Sequence, residues 1–314
     1  MSFSDNKKKE YLNKVSPHWH DYLVRGHEIL ISDLVPKNKE EIQAVEQIFI
    51  SYVKNLSNRE VHAKIKWFSN HYLYEYYTVL LKSRKWSLRM NALYRIADFQ
   101  IDRLLDDCRL LEERGCSHEE LLQIYKIYSL LDYEHLLKKI KNKTAYLTGS
   151  EYRRLFHFIS EDCVKAMISL YKELPRACQL SIIDTLGYRR STEFVPFLEK
   201  QLLLRDQEIR IRTLKAIYET GWVIAPEKYV HFVQSPLWEE RLMVTKLMGR
   251  LPLEEAFPYF QRLLEDESWW VRAEAAKTAG KIKWGKEKLR EFVETTSDRY
   301  AMEMVNEVLR KGTK

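Results

Sequence analysis

The chain of 314 residues is 45% hydrophobic and 31% charged, with 52 bases, 45 acids and a net charge of +7. Enough apolar residues are present to bury a core, which excludes a chain disordered along its whole length. The charge excess is spread thinly, nine bases against nine acids in residues 1–60 and 15 against 11 in 61–150, which argues against a dedicated basic nucleic-acid module.

In chain order, residues 1–15 are charged and polar and read as a frayed helix or an arm. Ser16-Pro17 is a helix-start signal and Gly26 a stop, enclosing a short helix with Trp19, Tyr22 and Leu23. Pro36 opens a longer helix in which Ile42, Val45, Ile48, Phe49 and Val53 keep the i, i+3/i+4 spacing of one buried face. Asn58 is placed to cap the next helix, which runs through Trp67 and a tyrosine-rich stretch to about Lys82. Helical patterns follow at 101–114, 118–130, 132–142, 151–160 and 162–173. Regular helix pairs are expected at 161–188, 192–221, 226–250, 252–282 and 285–311. The expected organisation has three segments: 1–82, helical and packed on the remainder; 83–160, irregular helix pairs; and 161–314, regular repeats with a C-terminal cap.

The stretch Asp266–Gly280 recurs. Arg210, Arg241 and Arg272 are 31 residues apart, as are Lys215, Lys246 and Lys277, and Gly187, Gly249 and Gly280 fall on the same grid. An earlier copy at 83–99 aligns Trp86 with Trp269, Leu88 with Val271, Arg89 with Arg272, Ala92 with Ala275 and Ile96 with Ala279. A fixed period in this range marks a stack in which each unit buries its apolar face against its neighbours. In the last pair Glu303 takes the arginine position and Arg310 an apolar one, a polar unit with which a stack can end.

Leu264-x-Asp266, Val271-Arg272-x-x-Ala275-Ala276 and Ala279-Gly280, with Leu204-Arg-Asp206-Gln-Glu-Ile-Arg210, resemble the HEAT repeat. They are closest to its short bacterial form of about thirty residues, the PBS-lyase-type HEAT-like repeat. The likeness is specific over 200–282, weaker over 161–199 and 283–311, and isolated at 83–99. It implies an all-α fold, a right-handed α-α superhelix of stacked antiparallel helix pairs whose second helices line the concave side. It also implies that Asp206, Arg210, Arg241, Asp266, Arg272 and Arg89 are structural ties between repeats. Ser235-Pro236 stands where one motif aspartate would be, so that tie is expected to be missing.

The candidate partner-binding row is basic: Arg212, Lys215, Lys246, Arg250, Lys277 and Lys281, with Trp270 as an aromatic anchor. Stacking sets its lysines roughly 10 Å apart, one helix width per unit. Such a row suits an acidic protein, a phosphate chain or an anionic lipid surface; the plainer reading is a solvated helix face. Trp86, Trp238, Trp269 and Trp270 stand at helix corners, where most are expected to serve as core and one of the adjacent pair to be partly exposed. Trp67–Tyr77, followed by Lys82-Ser-Arg-Lys85, joins aromatics to charge as single-strand binders do, but its rings fall all round a helix as in a buried layer. His18 and His20 diverge on a helix and make a poor metal chelate. Asp106, Asp107, Glu112 and Glu113 beside Arg109 and Arg114 read as intrahelical pairing. No nucleotide-binding loop, serine elbow or metalloprotease motif occurs.

Cys108, Cys116, Cys163 and Cys178 show no paired spacing and read as thiols of a reducing compartment. No run approaches the roughly 18 apolar residues of a membrane span, and the opening residues lack a signal-peptide core. The expectation is a cytoplasmic, non-enzymatic scaffold, without cofactor or metal, that holds an acidic protein partner on its concave face. Membrane contact is expected only peripherally, or through an anchor this chain does not carry. Ser268-Trp-Trp-Val-Arg272 resembles repeats of membrane-anchored companions of glycosyltransferases. The rival readings are a HEAT-like DNA glycosylase or other DNA-binding protein, a bilin lyase, and a peripheral membrane adaptor.

Overall fold

The computed structural model describes residues 3–26, 31–142, 147–221 and 228–311, and the described residues are mainly helical with no strand among them. Among these residues no helix is long and apolar enough to cross a membrane. The start of the pair expected from 226 lies outside the described residues. The chain divides into two compact units, Met1–Glu173 and Leu174–Lys314. That boundary is one of compactness; the three segments read from the spacing describe repeat regularity instead.

The first unit contains α1 (Phe3–His20), α2 (Lys39–Asn55), α3 (Arg59–Phe68), α4 (Tyr74–Leu81), α5 (Trp86–Phe99), α6 (Leu105–Glu113), α7 (His118–Leu131), α8 (Tyr133–Lys141), α9 (Gly149–Phe156) and α10 (Glu161–Ser169). Side-chain caps set several starts. Asn58 accepts from the Glu60 and Val61 amides, and Ser117 and Thr148 form reciprocal capping boxes with Glu120 and Glu151. Pro17 does not begin a helix but lies inside α1, a correction to the sequence reading. Val15, Trp19 and Leu23 are all buried at i, i+4 spacing across it, and this continuous apolar face outweighs one lost backbone bond. The Ser16 hydroxyl donates to the Leu12 carbonyl at 2.6 Å. Trp19 meets Phe49 and Phe68 edge-on, with centroids 4.7 and 4.8 Å away, at the centre of this unit's core.

The second unit contains α11 (Arg176–Arg189), α12 (Val195–Gln201), α13 (Gln207–Thr220), a short turn at Val230–Gln234, α14 (Trp238–Met248), α15 (Leu253–Leu264), α16 (Trp269–Ala279), α17 (Gly285–Thr295) and α18 (Arg299–Lys311). The second helices form one layer in which α11 packs on α13, α13 on α14, α14 on α16 and α16 on α18. The periodic glycines make that layer possible. A Cβ on Gly187 would lie 2.7 Å from the Ala216 Cα, one on Gly280 2.9 Å from a Val308 methyl, and one on Gly249 would overlap the Thr278 methyl. Each glycine therefore admits the next helix more closely than a methyl group allows.

Candidate binding faces

At Arg89, Arg210 and Arg241 the arginine at the fourth position of a second helix reaches two ways. It donates to carbonyls of its own corner and to a carboxylate at the start of the next second helix. Arg89 binds the Ser83 carbonyl at 3.0 Å and Glu120 at 2.6 and 3.2 Å. Arg210 binds the Leu204 and Arg205 carbonyls and Glu240 at 2.6 Å. Arg241 binds the Ser235 carbonyl at 2.7 Å and both oxygens of Asp266, at 2.6 and 3.0 Å. Asp206 serves Arg176, bidentate at 3.0 Å, while capping α13 through the Ile209 amide.

The tie expected to be missing at Ser235-Pro236 is replaced: Glu240 takes Arg210, and the Ser235 hydroxyl steadies that carboxylate at 2.5 Å. Arg272 differs from its counterparts. It keeps the Asp266 and Glu267 carbonyls, but its guanidinium lies over the Tyr300 ring at 5.4 Å and its Nε is buried without a partner. Burial opposes ionisation of Glu120, yet the Arg89 and Ser117 hydrogen bonds hold its pKa below the ordinary carboxylate value.

The basic row is partly neutralised from within. Arg212 reaches Asp184 at 2.5 Å and Glu208 at 2.8 Å, Lys215 lies 3.7 Å from Glu219, and Lys277 lies 3.3 Å from Glu274. Lys246, Arg250 and Lys281 hold no carboxylate among the described residues; Arg250 sits over the Tyr218 ring at 5.4 Å. One turn away on the same helices, Ile211, Leu242 and Met243 are half-buried.

The corner tryptophans are not core, contrary to expectation. Trp86, Trp238, Trp269 and Trp270 are 49%, 37%, 48% and 59% exposed, and the adjacent pair meets edge-on at 4.8 Å. Trp86, Trp238 and Trp269 are each the first residue of a helix, whose Cβ points back toward the corner and away from the stacked layer. The Trp86 indole N–H instead donates to Ser117 at the next helix start, at 3.0 Å. In the aromatic stretch Phe68 and Tyr77 are buried, whereas Trp67 and Tyr72 are exposed. His20 bonds the Tyr52 hydroxyl at 2.8 Å. No group of three or more His, Cys, Asp or Glu among the described residues could hold a metal ion. Arg109 pairs within its helix with Asp106 at 2.5 Å but also crosses to Asp132 at the start of α8, so this cluster is not only intrahelical.

Sequence reasoning missed a groove of about 340 Å³ in the first unit. Its floor is apolar: Met90 and Tyr94 from α5, Leu122 from α7, Leu155 from α9, and Phe158 just beyond α9. Lys126 lies over the Phe158 ring at 4.1 Å, exposed Arg154 has no carboxylate partner among the described residues, and Glu119 and Glu151 also line the groove. Glu151 at the rim is held at about 2, first by the Thr148 amide and then by His118. The copy at 83–99 placed Met90 and Tyr94 on a second helix, but α7 and α9 lack the motif arginine and glycine, although their caps Ser117 and Thr148 lie 31 residues apart.

Against known proteins, the family model described as HEAT repeats matches residues 227–310. The chain is similar to the crystal structure of an engineered protein, with a TM-score of 0.36 and 13% identity, covering 100% of this chain and 97% of that one. No curated protein matches it.

Proposed function

We propose, from the premise that residues 227–310 are HEAT repeats, that this chain is a non-enzymatic scaffold that docks a protein on its second-helix faces. HEAT repeats are typical protein-interaction scaffolds. The observation that carries the reading is the groove between α5, α7 and α9, where Tyr94, Leu122 and Phe158 lie beside Lys126 and the unneutralised Arg154. Such a surface takes an apolar side chain beside a carboxylate that Lys126 and Arg154 would meet, while Glu119 and Glu151 on the same lining fix its orientation, so the partner presents aliphatic or aromatic anchors next to an acidic residue. Lys246, Arg250 and half-buried Leu242 and Met243 offer the same chemistry in the second unit. The thiols Cys108, Cys116, Cys163 and Cys178, none of them in a disulfide, suit a reducing, cytoplasmic setting, including the cytoplasmic face of a membrane.

The test is affinity capture from the native host with mass spectrometry, comparing the wild-type chain with Phe158→Ala/Arg154→Glu. Partners captured by the wild type should be depleted at least about tenfold by the variant, as loss of one aromatic anchor and one charge pair implies. Equal recovery of every partner from a folded variant sinks the reading. Tight binding of duplex DNA with a steep salt dependence would favour the DNA-binding alternative instead.

A further inference from the structure

The turn from α16 into α17 has a feature that its own packing does not explain. Lys281 and Ile282 close the end of α16 by bonds to the Thr278 and Ala279 carbonyls, and the Gly285 amide returns to the Ile282 carbonyl at 2.9 Å. A Cβ on Gly285 would overlap the Ala279 carbonyl, so the chain must pass there as glycine. Trp284, just before it, has φ 65° and ψ 5° and lies in the left-handed region. That conformation is uncommon for any residue with a side chain and costly for a bulky one. Among the described residues, three other turns put glycine at positive φ, at Gly26, Gly115 and Gly221, and the other non-glycine cases, Gln100 and Arg190, are polar. Trp284 accepts the strain while its ring stays 63% exposed, so burial within the fold does not compensate it.

Charge surrounds this ring. Lys281 and Lys283 precede it and Lys286 and Lys288 follow it. Lys281 and Lys283 are exposed and hold no carboxylate among the described residues, and Lys283 Nζ stands 5.5 Å from the Trp284 centroid. Glu287, the one acid within residues 281–290, pairs with Arg290 at 3.6 Å. Strain held at an exposed residue points toward function when the fold does not need it.

We propose that this turn binds the anionic surface of a lipid bilayer, with the Trp284 ring at the headgroup boundary and Lys281 and Lys283 against the negative headgroups. An indole suits that boundary because it is apolar with one polar edge. Lysines gather diffuse negative charge without the fixed two-point geometry arginine brings to a single phosphate. A single-stranded nucleic acid would call for successive stacking rings, and here one ring stands among lysines. This turn shares no residue with the protein-docking groove, and neither reading depends on the other.

The test is co-sedimentation with vesicles of equal parts phosphatidylserine and phosphatidylcholine, against vesicles of phosphatidylcholine alone, at low salt. The full chain should sediment with the first and not the second. Lys281→Glu/Lys283→Glu should weaken binding at least about 25-fold, from about fivefold per lysine, whereas Lys54→Glu on the other unit should not. Trp284→Gly is the decisive variant. Glycine accepts this φ without strain, so the melting temperature should hold or rise while vesicle binding falls. Absence of wild-type binding to the anionic vesicles, or unchanged binding by folded Trp284→Gly, overturns the proposal. So does a preference for a poly-uridylate strand over vesicles that Trp284→Gly abolishes.

Discussion

Arg241 and Asp266 form a bidentate pair between successive repeats, at 2.6 and 3.0 Å, with each side chain only 8% exposed. The arginine also holds the Ser235 carbonyl, and the aspartate accepts the Ser268 amide at 2.8 Å. One pair therefore fixes two corners and the spacing between them. Arg241→Ala leaves the carboxylate buried without its cation and should cost about 3–5 kcal/mol. Urea unfolding measures this, and a loss below about 1 kcal/mol would show that solvent replaces the arginine.

The glycine grid predicts a reversal of sign. Alanine in place of a helical glycine ordinarily stabilises by about 0.5–1 kcal/mol. At Gly187 the added methyl would meet backbone, the Ala216 Cα at 2.7 Å, and so Gly187→Ala should destabilise by about 1–3 kcal/mol. At Gly249 the obstacle is the Thr278 methyl. Thr278→Ala in the same chain should recover most of the loss caused by Gly249→Ala, and a purely additive double-mutant cycle would refute the contact.

Acid acts on the α9 cap. The pKa of Glu151 is lowered from an ordinary 4.5 to about 2 by the Thr148 amide and His118. A carboxyl with a lowered folded-state value contributes stability above its unfolded value and loses it as pH falls through the folded one. The stability difference between wild type and Glu151→Gln should therefore be larger at about pH 5 than at about pH 2, shrinking as the carboxyl takes up its proton. A difference independent of pH across that window would rule out this cap as a source of acid sensitivity.

The second unit's open cations give a further test of the docking face. Lys246→Glu/Arg250→Glu changes two cations that hold no carboxylate among the described residues, so unfolding free energy should move by no more than about 0.5 kcal/mol. Partner association should slow, with most of the salt dependence lost. An association rate equal to wild type would mark these residues as a solvated surface.

The sequence alone determined the helical class and the 31-residue grid of Arg210, Arg241 and Arg272 with Gly187, Gly249 and Gly280, because each position on a helix repeats its direction at fixed spacing. Tertiary structure decided which carboxylate each arginine takes. Glu240 stands in for an absent aspartate because it lies at the start of the neighbouring helix, where position in space matters and the motif letter does not. It also decided that Trp86, Trp238 and Trp269 stay partly exposed, since each points back to its corner and away from the stacked layer. The groove under Tyr94 and Phe158 was invisible because α7 and α9 repeat the 31-residue step only in their caps, Ser117 and Thr148, and lack the motif's arginine and glycine, so only packing shows that their faces meet.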